Sequence, residues 1–316
     1  MNFTTKIPLG KSDDPIDYDS EILSLGSCFA ENMGGKFDYF KFRNAVNPFG
    51  IIFNPVSIER LVSRIATNEK FTGSDVFFHN DLWHCYEVHS ELSHPDKEIY
   101  INRLNQILDG IHNQIGTMTH CLITYGTSWV YRDKASGKIV ANCHKVPQNQ
   151  FDKEILSAAT IEKSIESTIA LVQKINPGCC FIFTVSPVRH IKDGFVENQR
   201  SKAHLIAALH SVISHQPSSV SYFPSYEIMM DELRDYRFYA EDMLHPNSTA
   251  INYIWERFSE NHILGSCFAT MDEIDSIQKA LKHRPFNPDS SSHQKFLASL
   301  KAKIAALQQQ FPHFGF

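Results

Sequence analysis

Short apolar runs and helix-like spacings alternate along most of the chain. Continuous apolar runs, which are typical of buried strands, occur at 21–25, 119–126, 179–188 and 219–223. Apolar residues recur at three- and four-residue intervals in the segments between and after them, which predicts helices at 28–37, 55–67, 98–115, 161–175, 198–215 and 250–258. Strands of this kind that alternate with helices predict an α/β protein whose parallel sheet is covered on both faces.

The pattern changes in two places. Residues 71–94 are aromatic and irregular, which predicts short strands or a surface loop, and the polar segment 134–138 predicts a hairpin. We assign residues 1–262 to the α/β domain and residues 263–316 to a C-terminal helical extension, with a helix at 298–311.

Composition and charge restrict the partners. The formal net charge is -5 and basic residues are scattered, so the sequence predicts no binding to nucleic acid or to an anionic membrane. The seven cysteines form no CxxC pair, and several of them lie in apolar runs, which disfavours a zinc site or a redox dithiol. Residues 1–18 contain no apolar stretch of signal-peptide length, so we expect a cytoplasmic protein.

Ser27 lies where the first predicted strand passes into a helix. At this position a serine hydroxyl should be exposed at the carboxyl edge of the sheet, beside backbone N–H groups that stabilise an oxyanion. The alternative is an ordinary turn in which the serine caps the helix. A serine nucleophile also requires a base within hydrogen-bonding reach.

A candidate base lies before the last helix of the α/β domain. Asp242 precedes His245 by three residues, and Pro246 follows directly. This spacing allows the carboxylate to orient the imidazole and to stabilise its charged form. The alternative is a surface loop followed by a helix cap at Asn247 or Ser248.

Several short motifs resemble those of a known family. The motif GSCFA occurs at 26–30 after a short apolar strand. Further matches follow in order: NPFG at 47–50, FNP at 53–55, YGTS at 125–128, SPVRH at 186–190 and DMLHPN at 242–247. With these motifs, residues 22–258 resemble the GSCFA family, which belongs among the SGNH/GDSL-type hydrolase folds.

The resemblance implies a fold and a reaction. It implies a flavodoxin-like three-layer α/β/α sandwich, with Ser27 as nucleophile, His245 as base and Asp242 behind the histidine. The implied activity is that of a serine-dependent esterase or O-acyltransferase that forms an acyl-enzyme. Its partner would be a small-molecule or carbohydrate acyl ester, and no metal or nucleotide cofactor is implied.

The implied oxyanion hole departs from the SGNH pattern. Members of that superfamily carry an asparagine after a glycine in the third conserved block, but here Gly126 is followed by Thr127 and Ser128. We expect the amides of Ser27 and Gly50 to bind the oxyanion with help from the 126–128 segment. Asn142 is an alternative donor, and loss of one donor would raise the barrier by about 3 kcal/mol.

Other residues are candidates for substrate binding. Arg189 and His190 follow the most apolar strand on the expected active edge, where they suit an anionic or sugar substrate. Trp129 can stack on a sugar ring, and Asn142 and His144 are further polar candidates for substrate binding. The four histidines at 79, 84, 89 and 94 have a five-residue spacing that would not bring them together around a metal.

Three alternative interpretations stay open. The first is a non-catalytic binding module of the same fold, for a sugar or a small acylated ligand, which the missing asparagine favours. The second is a flavodoxin-like nucleotide or flavin binder, which the lack of a Gly-x-Gly-x-x-Gly motif after the first strand disfavours. The third takes Cys28 as a thiol nucleophile.

The second GSCFA motif, at 265–269, is predicted to follow a helix and has no later Asp-x-x-His, so we interpret it as coincidence.

Overall fold

A parallel sheet of five strands forms the centre of the computed structural model, which describes residues 4–216 and 219–316. The strands along the chain are β1 (Glu21–Gly26), β2 (Arg43–Val46), β3 (Phe77–His79), β4 (Leu82–His84), β5 (His120–Tyr125), β6 (Trp129–Asp133), β7 (Ile139–Val140), β8 (Phe151–Ile155), β9 (Cys180–Val185) and β10 (Val220–Tyr222). The α-helical segments are α1 (Cys28–Tyr39), α2 (Pro55–Thr67), α3 (Lys97–Ile115), α4 (Ala158–Gln173), α5 (Phe195–Ile213), α6 (Ser225–Glu227), α7 (Ser248–His262), α8 (Phe268–Leu281) and α9 (Ser291–Gln310).

The strand order places the end of β1 at a special point of the sheet. The order is β10-β9-β5-β1-β2, and all four pairings are parallel. The chain runs from β1 outward to β2 and then returns to the other side of β1 as β5, so the connections reverse direction at β1. In open α/β sheets, ligands bind beyond the carboxyl ends of the strands at such a switch point.

Both faces of the sheet are covered, which gives three layers. Along β9, for example, Phe181 and Phe183 belong to one core cluster and Ile182 belongs to the other, since successive side chains point to opposite faces. The first cluster contains the apolar sides of α2, α3, α4 and α5, and the second contains those of α1, α7, α8 and α9. The predicted α/β sandwich with a parallel sheet is therefore confirmed.

Two smaller sheets lie outside the central one. Strands β3 and β4 form a short antiparallel hairpin within the irregular aromatic segment, and β6 pairs with both β7 and β8 in an antiparallel sheet. The turn between β6 and β7 occupies the polar segment that predicted a hairpin. Two strands were not predicted, because β2 is only partly buried and β8 carries the polar stretch Asp152–Glu154.

The C-terminal helices pack against the α/β domain. Ile16 pairs with Ile263 in an isolated bridge, and Ile274, Ile277, Leu300 and Leu307 join the core cluster that also contains residues of α1 and α7. Helix α9 covers the predicted helix at 298–311, whereas α8 was not predicted. Within the described ranges, no helix has both the length and the apolar character needed to cross a bilayer.

A buried histidine in α7 makes the stability of the fold depend on pH. His262 is almost completely buried, and its ring lies 4.8 Å from that of Phe258 and 5.9 Å from that of Phe223. Neither ring nitrogen has a hydrogen-bond partner among the described residues. Burial lowers the pKa of His262 from 6.5 to about 4. Between these pH values the unfolded chain binds a proton that the folded chain does not, so stability falls as pH falls through this window.

We expect His262→Leu to stabilise the protein most at acidic pH. The substitution removes an unsatisfied buried polar group, which contributes about 1–3 kcal/mol, and it also removes the proton uptake on unfolding. The measurement is the free energy of unfolding by urea at pH 5 and pH 8, with the exposed His215→Leu as control. Equal differences from the wild type at both pH values would contradict the prediction.

Candidate active site

Ser27 connects the central strand β1 to helix α1. The strand ends at Gly26, whose φ is +136° and where a Cβ atom would lie 2.2 Å from the carbonyl oxygen of Thr124. Only glycine fits there, and it directs the chain into the helix. Ser27 is the N-cap of α1, and its Oγ accepts a hydrogen bond of 3.3 Å from the N–H of Phe29.

The N-cap position leaves the Ser27 hydroxyl chemically competent but covered. Accepting one hydrogen bond uses a lone pair and keeps the hydroxyl proton available for a base. The amino end of α1 also favours negative charge on the oxygen. Only 3% of the Ser27 surface is exposed, however, so the expectation of an exposed hydroxyl is wrong for this conformation. A substrate reaches the oxygen only if neighbouring side chains move.

The Asp-x-x-His segment forms a bonded pair. The Oδ2 of Asp242 lies 2.5 Å from the Nδ1 of His245, and its Oδ1 accepts the backbone N–H groups of Leu244 and His245 at 2.9 Å each. The backbone N–H groups of His245 and Leu244, followed by the imidazole, lower the pKa of Asp242 to about 2. The carboxylate is therefore ionised at neutral pH and suited to hold the imidazole with Nε2 as the proton acceptor.

The turn that carries this pair is locally strained. Met243, between the two residues, has a φ of +58°, which non-glycine residues rarely adopt. Asn247 then caps helix α7 through a hydrogen bond from the N–H of Ala250 to its Oδ1. The predicted cap is therefore present together with the Asp-His pair. Strain of this kind concentrates at functional sites, because the surrounding structure must hold it in place.

Ser27 contacts the end of β5, and the turn that carries His245 lines a cavity with Arg189, which follows the adjacent strand β9. Ser27 donates its backbone N–H to Thr124 O at the end of β5. Gly126, two residues after Thr124, lies close to the imidazole of His190, since a Cβ atom added to Gly126 would be 3.4 Å from the Nε2 of that ring. Burial lowers the pKa of His190 to about 4, and the positive charge of Lys202 lowers it further. Within the described residues, no hydrogen bond joins the Ser27 hydroxyl to the His245 ring. Such bonds commonly tighten only when a substrate binds.

The backbone groups predicted to bind an oxyanion are already bonded within the fold. The N–H of Ser27 donates to Thr124 O at 3.0 Å, that of Gly50 to Asn47 O at 2.7 Å, and that of Gly126 to Phe53 O at 2.8 Å. These three amides are therefore not free to stabilise an oxyanion in this conformation.

The hydroxyl groups after Gly126 are also used internally. The side chains of Thr127 and Ser128 are buried, and both contact Ser201 on helix α5. Thr127 Oγ1 lies 2.8 Å from Ser201 Oγ, and Ser128 Oγ donates to Ser201 O at 3.2 Å. The N–H of Ser128 donates to Ser201 Oγ at 2.8 Å. In this structure the segment attaches β5 to α5 rather than presenting donors to a ligand.

Lys202 on helix α5 is a functional candidate that the sequence did not reveal. Its side chain is completely buried, and its Nζ donates to Gly126 O at 2.6 Å and to Ser186 O at 2.7 Å. These carbonyls follow the adjacent strands β5 and β9, so one ammonium group bridges two strand ends at the candidate site. Burial lowers the pKa of Lys202 to about 7. A lysine in an amphipathic helix is usually exposed, so the sequence gives no sign that this one is buried.

Two buried nitrogen atoms near this lysine have no hydrogen-bond partner in the part of the chain that the structure describes. The Oδ1 of Asn198 accepts the backbone N–H of His190 at 2.8 Å, but its Nδ2 is unpaired among the described residues, as is the Nε2 of His190. Asn198 is one helical turn before Lys202 on α5 and is almost completely buried. Buried donors without partners are costly, so these atoms are candidates for contact with a ligand.

Two of the predicted substrate-binding residues instead support the β3–β4 region. The Oδ1 of Asn142 accepts the N–H of His144 at 2.8 Å, and the Nε2 of His144 lies 2.7 Å from Cys85 O. The His144 ring is buried, and its centre lies 4.6 Å from that of the His84 ring. Burial lowers the pKa of His144 to about 4. Their hydrogen bonds and ring contacts are with this region and not with Ser27 or the Asp242–His245 pair.

The remaining predicted residues lie around the ends of β5 and β9. The Nε1 of Trp129 donates to Glu197 O at 3.2 Å, and the Nζ of Lys153 lies 4.9 Å from the centre of its ring. Arg189 lines a cavity of about 380 Å³ together with Asp242, Met243 and Leu244. The structure therefore brings Arg189, a predicted substrate-binding residue, beside the histidine turn.

Comparisons with known proteins identify the family. Residues 21–258 match the model of the GSCFA family, and residues 274–316 match that of the GSCFA domain protein, C-terminal domain. No curated protein matches the chain. Because the first match spans most of the chain and includes Ser27, Asp242 and His245, the chain belongs to the GSCFA family.

Proposed function

We propose that this protein is a serine-dependent esterase or O-acyltransferase of the SGNH type that uses Ser27, His245 and Asp242. The observation that carries the proposal is the Asp242–His245 pair, in which an ionised carboxylate holds Nδ1 at 2.5 Å. Ser27 supports it from the amino end of α1, beside the switch point of the sheet. Serine, histidine and aspartate in these roles form the machinery of acyl transfer.

The reaction proceeds in two steps. The Ser27 oxygen attacks the ester carbonyl carbon while the Nε2 of His245 takes the hydroxyl proton, and the resulting tetrahedral oxyanion collapses as the protonated imidazole gives that proton to the leaving alcohol. Water or a sugar hydroxyl then attacks the acyl-enzyme and loses its proton to His245. The second tetrahedral intermediate collapses as the imidazolium returns that proton to the Ser27 oxygen, which releases the acyl product and restores the site. Asp242 stabilises the imidazolium in both steps without taking the proton.

Stabilisation of the oxyanion requires donors other than the bonded amides described above. The ammonium of Lys202 retains one N–H beyond the two that it donates to Gly126 O and Ser186 O, and the Nδ2 of Asn198 has no partner among the described residues. Both groups lie near the ends of β5 and β9. A donor that is oriented in advance in a dry site stabilises developing negative charge without reorganisation. They are the chain's own substitutes for the asparagine that the YGTS segment lacks.

The second candidate function is ligand binding without turnover by the same fold. Two observations favour ligand binding without turnover. The Ser27 hydroxyl is buried, and the amides of Gly50 and Gly126 are bonded within the fold, so the site is closed to an ester in this conformation. Such a protein would retain the pocket but would release no product.

The purified protein should hydrolyse short-chain 4-nitrophenyl esters or O-acetylated sugars, as measured by release of nitrophenol or acetate. A Cys28→Ala variant should retain this activity, because burial raises the pKa of the Cys28 thiol and makes it a poor nucleophile. Absence of turnover over the whole panel would favour the binding module, and loss of turnover in Cys28→Ala would favour the thiol.

A further inference from the structure

Among the described residues that line the cavity beside the histidine turn, one cationic side chain is not paired with a carboxylate. Its volume is about 380 Å³, and its charged lining residues are Arg189, Arg234, Asp235 and Asp242. Arg234 pairs with Asp231 at 3.0 Å, Asp235 pairs with Arg237 at 2.9 Å, and Asp242 pairs with His245. No carboxylate in the described part of the chain pairs with Arg189.

The polar contact that Arg189 makes with the described part of the chain is weak. One of its terminal nitrogens lies 3.1 Å from the Sδ of Met230, and a thioether sulfur is a poor acceptor. The side chain is only partly exposed, so water does not fully solvate its charge. A guanidinium presents several N–H donors in a planar fork that matches a carboxylate or a phosphate.

The position of the cavity indicates which part of a substrate it would hold. Asp242, Met243 and Leu244 line it, so the turn that carries His245 forms one of its walls. In the proposed reaction, His245 gives a proton to the leaving oxygen, so the alcohol part of the ester lies on this side. The other walls include Tyr236 and Tyr239, which suit a ring.

We propose that Arg189 forms an anion subsite, and that the preferred substrates are esters of a ring-containing alcohol that carries a carboxylate or a phosphate. This inference rests on the proposed acyl transfer for the reaction that follows binding. The subsite itself requires only the cavity and the guanidinium of Arg189. A charge-assisted pair between a guanidinium and an oxyanion in a partly dry cavity is strong enough to determine specificity.

The first test compares matched esters. The substrates are 4-acetoxybenzoate, 4-acetoxyphenyl phosphate and the neutral 4-acetoxybenzamide, and acetate release gives kcat/KM for each. In Arg189→Gln, the ratio of kcat/KM for a charged ester to that for the neutral one should fall by about 10- to 100-fold. Arg189→Lys should retain part of the ratio, and the control Arg234→Gln, which removes an equal charge from the same cavity, should change it by less than about 3-fold.

The second test separates the subsite from catalysis. Binding of benzoate, phenyl phosphate and neutral benzyl alcohol to the wild type and to Arg189→Gln is measured by NMR titration. We expect at least one anion to bind and to lose about 10-fold or more of its affinity in the variant. This result upholds the subsite even if no ester is hydrolysed, in which case the proposed function fails alone. Anion binding or ester ratios that are equal in the two proteins would overturn the subsite and leave the proposed function standing.

Discussion

Ser27→Ala should lower kcat/KM for ester hydrolysis by on the order of 10⁴-fold or more. The substitution removes the oxygen that forms the acyl-enzyme, and the remaining site can only orient water against the ester. The loss should appear in kcat, since the hydroxyl contributes more to the transition state than to substrate binding. The N-cap hydrogen bond to Phe29 is also lost, at a cost of about 1 kcal/mol of stability. Unfolding therefore has to be measured beside the kinetics.

The chain supplies a matched control for this variant. Ser266 stands at the same place in a second GSCFA motif, but it lies in the short 3₁₀ turn Gly265–Cys267 that follows helix α7. It follows a helix instead of a strand, as the sequence predicted. Ser266→Ala should therefore leave kcat/KM unchanged within about 2-fold. Equal losses in both variants, or full activity in Ser27→Ala, would remove Ser27 from the mechanism.

Asp242→Asn should lower kcat by about 10³- to 10⁴-fold with little change in fold. An asparagine Oδ1 can still accept the backbone N–H groups of Leu244 and His245 that shape the turn. Its Nδ2, however, would face Nδ1 of the imidazole as a donor. The ring would then carry its proton on Nε2, the atom that must accept the proton of Ser27. The stabilising negative charge beside the imidazolium would be lost as well.

Asp235→Asn is the matched control for this second variant. Asp235 also lines the cavity and accepts a backbone N–H two residues later, from Arg237, but its side-chain partner is an arginine. Its replacement should change kcat by less than about 3-fold. The measurement is the separate determination of kcat and KM for both variants. If the loss in Asp242→Asn lay in KM alone, or were matched by Asp235→Asn, the carboxylate would not act through the histidine.

The fold was predictable because its main elements bury apolar residues in regular patterns. Strand β9 is buried on both faces, which requires a continuous apolar run, and helix α2 is buried on one face, which requires apolar residues at three- and four-residue intervals. Both elements lie where the sequence predicted them. The elements that were missed have weaker patterns. Strand β2 is a short edge strand of partly buried residues, which local periodicity does not distinguish from a loop.

The Asp242–His245 pair could also be predicted from the sequence, because the two residues are only three positions apart. The environment of the site was not accessible, because it depends on tertiary contacts. The buried Lys202, the burial of Ser27 and the use of the Gly50 and Gly126 amides inside the fold all follow from how distant segments pack. His144 shows the reverse case, in which a polar residue that suits ligand binding serves the packing of another region.

The most direct test is to react the protein with a fluorophosphonate and to identify the modified residue by peptide mass spectrometry. We expect one covalent phosphonyl group on Ser27, which is absent from Ser27→Ala, strongly reduced in His245→Ala and unchanged in Ser266→Ala. An unmodified wild type, or a phosphonyl group on Ser27 that forms equally fast without the imidazole of residue 245, would contradict the claim that these two side chains work as one unit.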